Sequence, residues 1–385
     1  MRIAYCSNVR LPSERAHGHQ VAQVIGALFN LKHQVTVFAP FRKNISRKDF
    51  WDYYRLPRDI KIEYFGTFDP IASPFLPGVT GLLWMNAVIR SGIKAQVTPV
   101  AFDMAYTRTP ALLPALIDTG VPVILELHRL PRFNRRRFVK LCNRCALVVS
   151  LTGAMDQILK SWGVEETRIM VSGDAVDLRR FQSMPSSVQA RLRFGIETDR
   201  PVVGYVGRLK TLGMEKGVLD LLKAVGADRK FFAFIVGGPE ADKKYYSSKA
   251  VELGLTAEDV KFTGEIDALS VPDALAACDI LAMPFPDLPH YREFMSPLKM
   301  FEYMASGKPI VSSDLPTVRD VLSEETAFFC EPGNFGSLLQ RLREIVRRPE
   351  EARRRAENTR KLVEEFTWEK RMRRIIDRSG LDLSM

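Results

Sequence analysis

The sequence has few cysteines, and none of them fits a recognised cluster. Its five cysteines among 385 residues are scattered and odd in number, which excludes a disulfide-built scaffold and indicates a reducing compartment. Cys142 and Cys145 form a CxxC pair, but a zinc site needs two further ligands and the sequence offers none nearby. We therefore expect no metal site.

The sequence also lacks an uninterrupted apolar run of membrane-spanning length. The nearest candidate, Phe75 to Val97, is broken by Pro77, Arg90 and Lys94 and falls short of about 20 clean residues. The N-terminus enters a strand-like run at once, without the basic segment, apolar core and cleavage site of an export signal. These absences predict a cytoplasmic protein.

The second half of the chain lacks any charge imbalance. Residues 1–190 hold 25 Lys/Arg against 14 Asp/Glu, whereas residues 191–385 hold 31 of each, so the whole excess of +11 belongs to the first half. The densest basic run is Arg129 to Arg144, with apolar residues interleaved. It predicts either a peripheral contact with the inner, anionic face of a membrane, an anionic acceptor site, or a solvated helix face. No nucleic-acid motif accompanies it.

Strand and helix patterns alternate along the whole chain. A hydrophobic content of 46% over 385 residues predicts a soluble protein of two or three domains. Short apolar runs such as Arg2–Ser7, Val121–Leu127 and Val202–Val206 are typical of buried parallel strands, and helical patterns separate several of them. We predict an α/β protein with two Rossmann-like domains, at residues 1–180 and 181–365. A C-terminal helix, 366–385, would pack back on the first domain.

A short helix at Pro297–Ser306 carries a polar arc. Ser296 suits the N-cap, Pro297 the first helical position and Gly307 the C-terminal cap. At 100° per residue Lys299, Glu302, Tyr303 and Ser306 share one arc. Such a helix can bind an anion through Lys299 and its free N–H groups, and a diol through Glu302. An ordinary solvated polar face fits the pattern equally well.

Two loops are expected at the carboxyl ends of strands, where ligands bind in doubly wound sheets. In GYVGRLKTLGMEKGV, Arg208 follows a strand and Lys216 precedes a helix, so the pair suits a diphosphate. Between the first strand and the first helix, Gly18 allows close backbone approach to a phosphate. The sequence has no GxGxxG there, which disfavours a dinucleotide cofactor.

These motifs together resemble glycosyltransferase family 4, the retaining GT-B enzymes of the glycosyl transferases group 1. The resemblance spans nearly the whole chain. In the second half it lies in GRLKTLGMEKG, FIVGGPE, VKFTGEI, ACDILAMPF and SPLKMFEYMASGKPIVSSD, and in the first half in LPSERAHGHQVAQ, AYTRTPALLPALIDTGVPVILELH and GDAVDLRRF. It implies two Rossmann-like domains that face each other across a cleft.

The resemblance assigns roles to particular residues. Arg208 and Lys216 match the basic pair that neutralises the leaving diphosphate, and Glu302 matches the second Glu of E-x7-E, which holds the donor ribose. Gly18 matches the glycine of the loop over the phosphates. The histidine near the reacting sugar is matched by His128, for which a structural histidine at a strand end is the alternative. The segment Ser296, Pro297, Leu298 and Lys299 resembles a variant of the E-x7-E motif, whose lysine joins the phosphate site, and Ile266 matches the main chain that touches the base.

One position departs from the family. Strict spacing puts Phe294 where the first Glu of E-x7-E should stand, with Glu293 one residue away. That Glu contacts the transferred sugar in the family, so the sugar and the part played by Glu293 stay open. The sequence contains no DxD-like carboxylate cluster for a metal.

The resemblance implies a retaining, metal-independent transferase that moves a hexosyl group from a UDP- or GDP-linked sugar. The acceptor would be a glycan or a lipid-linked molecule docked on the first domain, and no cofactor beyond the nucleotide-sugar substrate is expected. Two alternatives remain: a non-hydrolysing sugar-nucleotide epimerase of the same architecture, and a non-catalytic module that binds anionic lipid or polymer.

Overall fold

The chain divides into two compact units. The computed structural model describes residues 1–13, 16–43, 48–66, 69, 78–211 and 213–381. Unit 1 comprises Met1–Gly173 and Trp368–Met385, and unit 2 comprises Asp174–Thr367. Glu14 and Arg15, in the predicted N-terminal loop, lie outside the described residues.

The unit boundaries differ slightly from the sequence expectation. Unit 2 begins at Asp174 rather than at residue 181 because the backbone N–H of Val176 donates to the Phe366 carbonyl at 2.9 Å. The ring of Phe366 lies 5.4 Å from that of Phe301, also in unit 2. The C-terminal segment of unit 1 therefore begins at Trp368, not at residue 366.

Unit 1 contains a parallel sheet in which the described strands follow the order β3-β2-β1-β4-β5-β6-β7. Its strands are β1 Arg2–Cys6, β2 Gln34–Pro40, β3 Lys61–Phe65, β4 Met104–Thr107, β5 Val123–Leu127, β6 Leu147–Ser150 and β7 Ile169–Val171. Its α-helices are α1 Ala16–Asn30, α2 Phe50–Tyr54, α3 Val79–Gln96, α4 Leu113–Asp118, α5 Arg135–Cys142, α6 Gly153–Trp162 and, at the C-terminus, α16 Trp368–Arg378. The sequence patterns did not predict β7, a three-residue strand at the sheet edge.

Unit 2 contains a second parallel sheet, of order β12-β11-β8-β13-β14-β15, and an antiparallel hairpin of β9 and β10. Its strands are β8 Val202–Val206, β9 Lys210–Thr211, β10 Met214–Glu215, β11 Phe232–Val236, β12 Val260–Gly264, β13 Ile280–Met283, β14 Ile310–Ser313 and β15 Phe328–Cys330. Its α-helices are α7 Ser187–Phe194, α8 Val218–Ala227, α9 Glu240–Glu252, α10 Val271–Ala276, α11 Pro289–Glu293, α12 Leu298–Ser306, α13 Pro316–Arg319, α14 Phe335–Arg347 and α15 Pro349–Leu362. Short 3₁₀ helices occupy Pro110–Leu112, Glu166–Arg168, Leu178–Phe181, Ala268–Ser270 and Val363–Glu365.

Alternating side chains of the unit 2 sheet enter two separate cores. In β8, Val202 and Val206 face a core shared with α10 and α12, whereas Val203 and Tyr205 face a core shared with α8 and α14. Both faces of a parallel sheet covered by helices are buried, which explains why its strands are continuous apolar runs in the sequence. The two cores hold the carboxyl ends of β8 and β13 in place.

No helix within the described residues combines the length and the apolar content needed to cross a membrane.

Candidate active site

Glycines bring the carboxyl ends of three strands of unit 2 close together. At Gly237, after β11, a Cβ atom would lie 2.0 Å from the carbonyl oxygen of Gly207, after β8. At Gly217, the N-cap of α8, it would lie 1.7 Å from the carbonyl oxygen of Pro284, after β13. Both glycines have positive φ, +141° and +86°. A side chain at either position would push these loops apart.

Three basic residues meet at this edge of the sheet, and we call them the donor-side cations: Arg208, Lys216 and Lys299. Arg208 is exposed two residues after β8, Lys216 directly precedes Gly217, and Lys299 is the second residue of α12. None of the three side chains forms a hydrogen bond or an ion pair with the residues that the structure describes. Lys299 is only 7% exposed, and its Nζ has no hydrogen-bond partner there.

The position of Lys299 is defined by the rings and the backbone around it. Its Nζ lies 3.3 Å from the centroid of the Tyr205 ring, a cation–π contact. Its Cε would lie 2.9 Å from a Cβ atom at Gly207. The ammonium group therefore sits beside the backbone turn that leads into Arg208, and the glycine makes room for it.

The charges of the donor-side cations act on one another. Burial, and then the charge of Arg208, lowers the pKa of Lys216 to about 8. Burial, and then the charge of Lys216, holds the pKa of Lys299 well below its usual range, although Glu302 opposes the shift. Positive charge is thus concentrated at side chains that form no ion pair within the described residues, and an anionic ligand would relieve their mutual repulsion.

Glu302 lies one turn after Lys299 on α12 and pairs with an arginine that the sequence analysis did not single out. Its Oε1 lies 3.3 Å from Nη1 of Arg180, which also donates to the Ala268 carbonyl. Burial raises the pKa of Glu302, while Arg180 and Lys299 oppose the shift. Arg180 stands in the GDAVDLRRF segment, where its pairing could not be read from the sequence.

The start of α12 differs from the prediction. The helix begins at Leu298 with Pro297 as an extended N-cap, and no side chain caps its first turn. Ser296 is not the N-cap: its Oγ accepts a hydrogen bond from the backbone N–H of Asp174 at 2.7 Å. The predicted cap at Gly307 is present, with φ of 68°. The first amides of α12 are therefore left without a side-chain acceptor.

The polar arc predicted for this helix is not a solvated face. The hydroxyl of Tyr303 accepts from the backbone N–H of Val206 at 2.7 Å and lies 3.2 Å from the Val206 carbonyl, to which it donates. Tyr303 is fully buried and Lys299 nearly so. These two residues fix α12 against the end of β8, so the solvated alternative was wrong for them.

Three other predicted residues lie in segments of unit 2 that follow strands of its sheet. Glu293 is the half-buried last residue of α11, in the segment between β13 and α12. Ile266 follows β12 and packs against the core that includes α12. Leu298 opens α12 as a half-buried residue. The structure thus places Glu293 and Ile266 on segments that leave the carboxyl ends of β13 and β12.

Glu215, which was not among the predicted site residues, caps the first turn of α8. Oε2 and Oε1 of Glu215 accept from the backbone N–H groups of Gly217 at 2.5 Å and Leu219 at 3.0 Å. The Tyr246 hydroxyl also contacts Glu215, at 3.2 Å. Glu215 therefore satisfies the first amides of α8, whereas those of α12 have no such partner.

Gly18 and His128 belong to unit 1. Gly18 lies in the first turn of α1, where a Cβ atom would come within 2.5 Å of the Tyr54 hydroxyl and 2.9 Å of the Ser13 carbonyl. The Tyr54 hydroxyl itself bonds the backbone of Ser13. This packing gives a structural reason for the glycine that the sequence analysis did not foresee.

His128 follows β5 and contacts a buried carboxylate. Its Nε2 lies 2.5 Å from Oε1 of Glu126, which is 1% exposed and also contacts Gln20, Tyr106 and Arg371. Burial, and then the charge of Arg108, lowers the pKa of His128 to about 4. The only indication of this buried network in the sequence is the glutamate inside the apolar strand VILEL.

The described residues contain no cluster of three or more His, Cys, Asp or Glu side chains that could hold a metal ion. A cavity of about 800 Å³ in unit 2 lies at the opposite edge of the sheet from the donor-side cations. Pro201, Asp279 and Pro309, which precede β8, β13 and β14, line it. The candidate site is therefore an open edge and not this cavity.

Comparisons with known proteins agree with this architecture. The model of Glycosyltransferase Family 4 matches residues 18–180, and that of Glycosyl transferases group 1 matches residues 200–348. The solved glycosyltransferase of Rickettsia africae has a TM-score of 0.77 and 16% identity and covers 99% of this chain and 98% of its own. Anabaena HepE in complex with UDP has a TM-score of 0.73 and 20% identity, with 98% and 99% covered.

A curated relative is also a glycosyltransferase by name. The 2-deoxystreptamine N-acetyl-D-glucosaminyltransferase of Streptomyces fradiae is 26% identical over 288 residues, which cover 66% of each chain. The matched parts of the next two curated relatives are 27% and 42% of their lengths, so the chain spans less than two thirds of these proteins.

Two parallel-sheet α/β units with these structural neighbours define the GT-B fold. The family models match both units, and the chain belongs to glycosyltransferase family 4.

Proposed function

We propose that the protein is a retaining, metal-independent glycosyltransferase that moves a hexosyl group from a UDP- or GDP-linked sugar to a glycan or lipid-linked acceptor. One observation carries the proposal: the donor-side cations converge at the carboxyl ends of β8 and β13 without forming an ion pair within the part of the chain that the structure describes. The diphosphate of a nucleotide sugar supplies the charge that this edge lacks. HepE, a structural neighbour, is solved with UDP and with UDP-glucose.

The other residues of unit 2 complete the donor site. Glu302 accepts hydrogen bonds from the ribose hydroxyls, and the main chain at Ile266 contacts the base. The uncapped backbone N–H groups of Leu298 and Lys299, which follow the N-cap Pro297, face the phosphates, since helix N-termini attract anions. Glu293 contacts the transferred sugar in place of the first Glu of E-x7-E, whose position Phe294 occupies.

The donor-side cations stabilise the leaving group. As the bond between the anomeric carbon and the β-phosphate oxygen breaks, negative charge grows on the diphosphate. A new bond forms to the acceptor oxygen, whose proton passes to the departing diphosphate. Arg208, Lys216 and Lys299 are positioned before reaction, so little reorganisation is needed. Removal of one such donor of positive charge typically costs a factor of about 100 to 1,000 in turnover.

In unit 1, Gly18 brings the first turn of α1 over the phosphates, and His128 lies near the reacting sugar. The surface of α5 supports an anionic or lipid-linked acceptor, or a peripheral contact of Arg129–Arg144 with an anionic membrane. This helix buries Phe138 and Cys142 and exposes Arg135, Arg136 and Arg137. Phe133, just before it, is 82% exposed. An apolar side chain among cations is typical of a membrane-surface contact.

A thermal-shift panel tests the donor site. UDP-, GDP- and ADP-sugars are added to the wild-type protein and to Lys299→Met, with Lys230→Met, an exposed lysine of unit 2, as the matched control. We expect one nucleotide to raise the melting temperature of the wild type and of the control, and to raise that of Lys299→Met much less. No response of the wild type to any nucleotide would contradict the proposal.

Product analysis tests the reaction. With the stabilising donor and a panel of acceptors, nuclear magnetic resonance of the product gives its anomeric configuration. Retention supports the proposed chemistry, and inversion contradicts it. Conversion of the donor to an epimer without an acceptor would favour the epimerase. Normal partner binding and normal function of the Arg208→Ala and Glu302→Ala variants would favour the non-catalytic module.

A further inference from the structure

A carboxylate lies in the interior of unit 1, at the end of β5. Both oxygens of Glu126 are occupied: Oε1 lies 2.6 Å from Nε2 of Gln20 and 2.5 Å from Nε2 of His128, and Oε2 accepts from the hydroxyl of Tyr106 and from Nη1 of Arg371 at 3.0 Å. A buried carboxyl group with this many partners is ordered in one orientation.

The carboxylate is ionised. Burial alone would favour its neutral form, but the charge of Arg371, the hydrogen bond with His128 and the charge of Arg108 hold the pKa of Glu126 well below its usual range. An ionised carboxylate can only accept hydrogen bonds. Each of its four side-chain partners must therefore donate to it.

This requirement determines which ring nitrogen of His128 carries the proton. The ring is neutral near pH 7, because its pKa is lowered to about 4. Nε2 must donate to Glu126, so Nδ1 has a free lone pair. About a fifth of the side chain is exposed, which leaves the ring accessible to a ligand on one side.

Arg371 comes from the C-terminal helix α16 and fixes the carboxylate from the opposite side. It is 1% exposed, and besides Glu126 it donates from Nε to the Gly173 carbonyl at 2.6 Å and from Nη2 to the Ser172 carbonyl at 3.2 Å. Arg371 thus binds a carboxylate that lies 245 positions earlier in the sequence.

We propose that Glu126 and Arg371 are positioning residues that hold His128 as the Nε2–H tautomer, so that Nδ1 accepts a hydrogen bond from a hydroxyl of the transferred sugar. The ligand part of this inference rests on the proposed function. A carboxylate that fixes the tautomer of a histidine at a reacting centre has strong effects on rate without touching the substrate. Glu126 and Arg371 would then act on turnover through His128.

Nitrogen NMR on protein labelled with ¹⁵N-histidine measures the tautomer directly. The chain has five histidines, and the spectrum of His128→Gln identifies the signals of His128. We expect a protonated Nε2 and a bare Nδ1 in the wild type. In Glu126→Gln the amide can donate to Nε2, so we expect the proton to move to Nδ1.

Kinetics provide the functional arm. Turnover by Glu126→Gln should fall by on the order of 10- to 100-fold, while nucleotide affinity stays unchanged because the donor-side cations lie in unit 2. Arg371→Lys, which keeps the charge but not the fork of donors, should show a smaller loss in turnover. Arg373→Lys, an exposed arginine on the same helix, serves as the matched control and should behave as wild type.

The arms separate failure of this inference from failure of the proposed function. A bare Nε2 in the wild type, or an unchanged tautomer and unchanged turnover in Glu126→Gln, would overturn the positioning role. If Glu126→Gln does not fold, Glu126→Asp keeps the charge but shortens the side chain, and loss of the Nε2–H tautomer in it supports the proposal. The NMR measurement of the tautomer needs no turnover. It therefore tests the roles of Glu126 and Arg371 even if no nucleotide sugar proves to be a substrate.

Discussion

The two units place their charged residues in opposite ways. In unit 2 the donor-side cations form no ion pairs with the described residues, and Lys299 is buried without a hydrogen-bond partner among them. In unit 1 the Glu126 carboxylate is also buried but is surrounded by four donors. A bound anion would complete the first arrangement, whereas the second is complete in the free protein. A buried charged group thus lacks partners in one unit and has a full set of them in the other.

The largest expected effect concerns the complete network of unit 1. Arg371→Met would leave Glu126 buried without its cation, and breaking such a pair costs about 3–5 kcal/mol in the free energy of unfolding. Urea denaturation of the variant and of the exposed control Arg373→Met measures the difference. Equal midpoints for the two variants would show that the pair does not stabilise unit 1.

The next largest expected effect is a loss of turnover when one of the donor-side cations of unit 2 is removed. Arg208→Ala removes an exposed cation whose side chain has no hydrogen-bond or ion-pair partner among the described residues, so we expect little change in stability. Turnover should fall about 100- to 1,000-fold, equivalent to roughly 3–4 kcal/mol of transition-state stabilisation. Steady-state kinetics beside a denaturation curve separates the two quantities. A large loss of stability with normal turnover would contradict both expectations, since Arg208 would then have a structural role and no catalytic one.

A smaller effect, of opposite sign, is expected at Lys299. Methionine has a similar shape and no charge to bury, so Lys299→Met should stabilise the free protein, by about 1 kcal/mol once the lost contact with Tyr205 is counted. The same variant should bind nucleotide more weakly. Denaturation with and without UDP or GDP measures both. Destabilisation of the free protein would mean that Lys299 has a structural role that its unpartnered Nζ does not reveal.

The smallest expected effect is the uptake of a fraction of a proton when a nucleotide binds. The pKa of Lys216 is lowered to about 8 in the free protein, and a bound diphosphate would raise it, so binding should take up a fraction of a proton per site. Uptake should grow as the pH rises from 7 towards 9, because the free lysine is then increasingly neutral. Calorimetry in two buffers of different ionisation enthalpy measures it. Proton release in this range would contradict the electrostatic account of the site.

Much of the fold was predictable from local patterns. The apolar run at Val202–Val206 forms a strand with the predicted bounds, since a strand that is buried on both faces carries a strong signal in the sequence. The edge strand Ile169–Val171 was missed because three residues give no periodicity. The domain boundary was seven residues late, since the contact of Val176 with Phe366 joins positions far apart in the sequence.

Site residues were predictable where a short motif contains them. Arg208, Lys216 and Gly307 follow from the chemistry of a strand end and of helix ends. Ser296 was predicted as the N-cap because no neighbouring residue in the sequence has a better capping side chain. In the structure its hydroxyl accepts a hydrogen bond from the backbone N–H of Asp174 instead. No short motif marks Arg180 or Glu215. Tertiary packing determines that Arg180 pairs with Glu302 and that Glu215 accepts from the first backbone N–H groups of α8.

The sequence by itself determined the two parallel sheets and the positions of basic residues at their strand ends, because hydrophobic periodicity and turn residues act over a few positions. Only the tertiary structure decided which charges are satisfied. Arg371 reaches Glu126 across 245 positions, and Lys299 lies against Tyr205 with no acceptor. The pKa of a side chain and its hydrogen-bond partners depend on burial and on neighbours brought together by folding, and no local pattern records them.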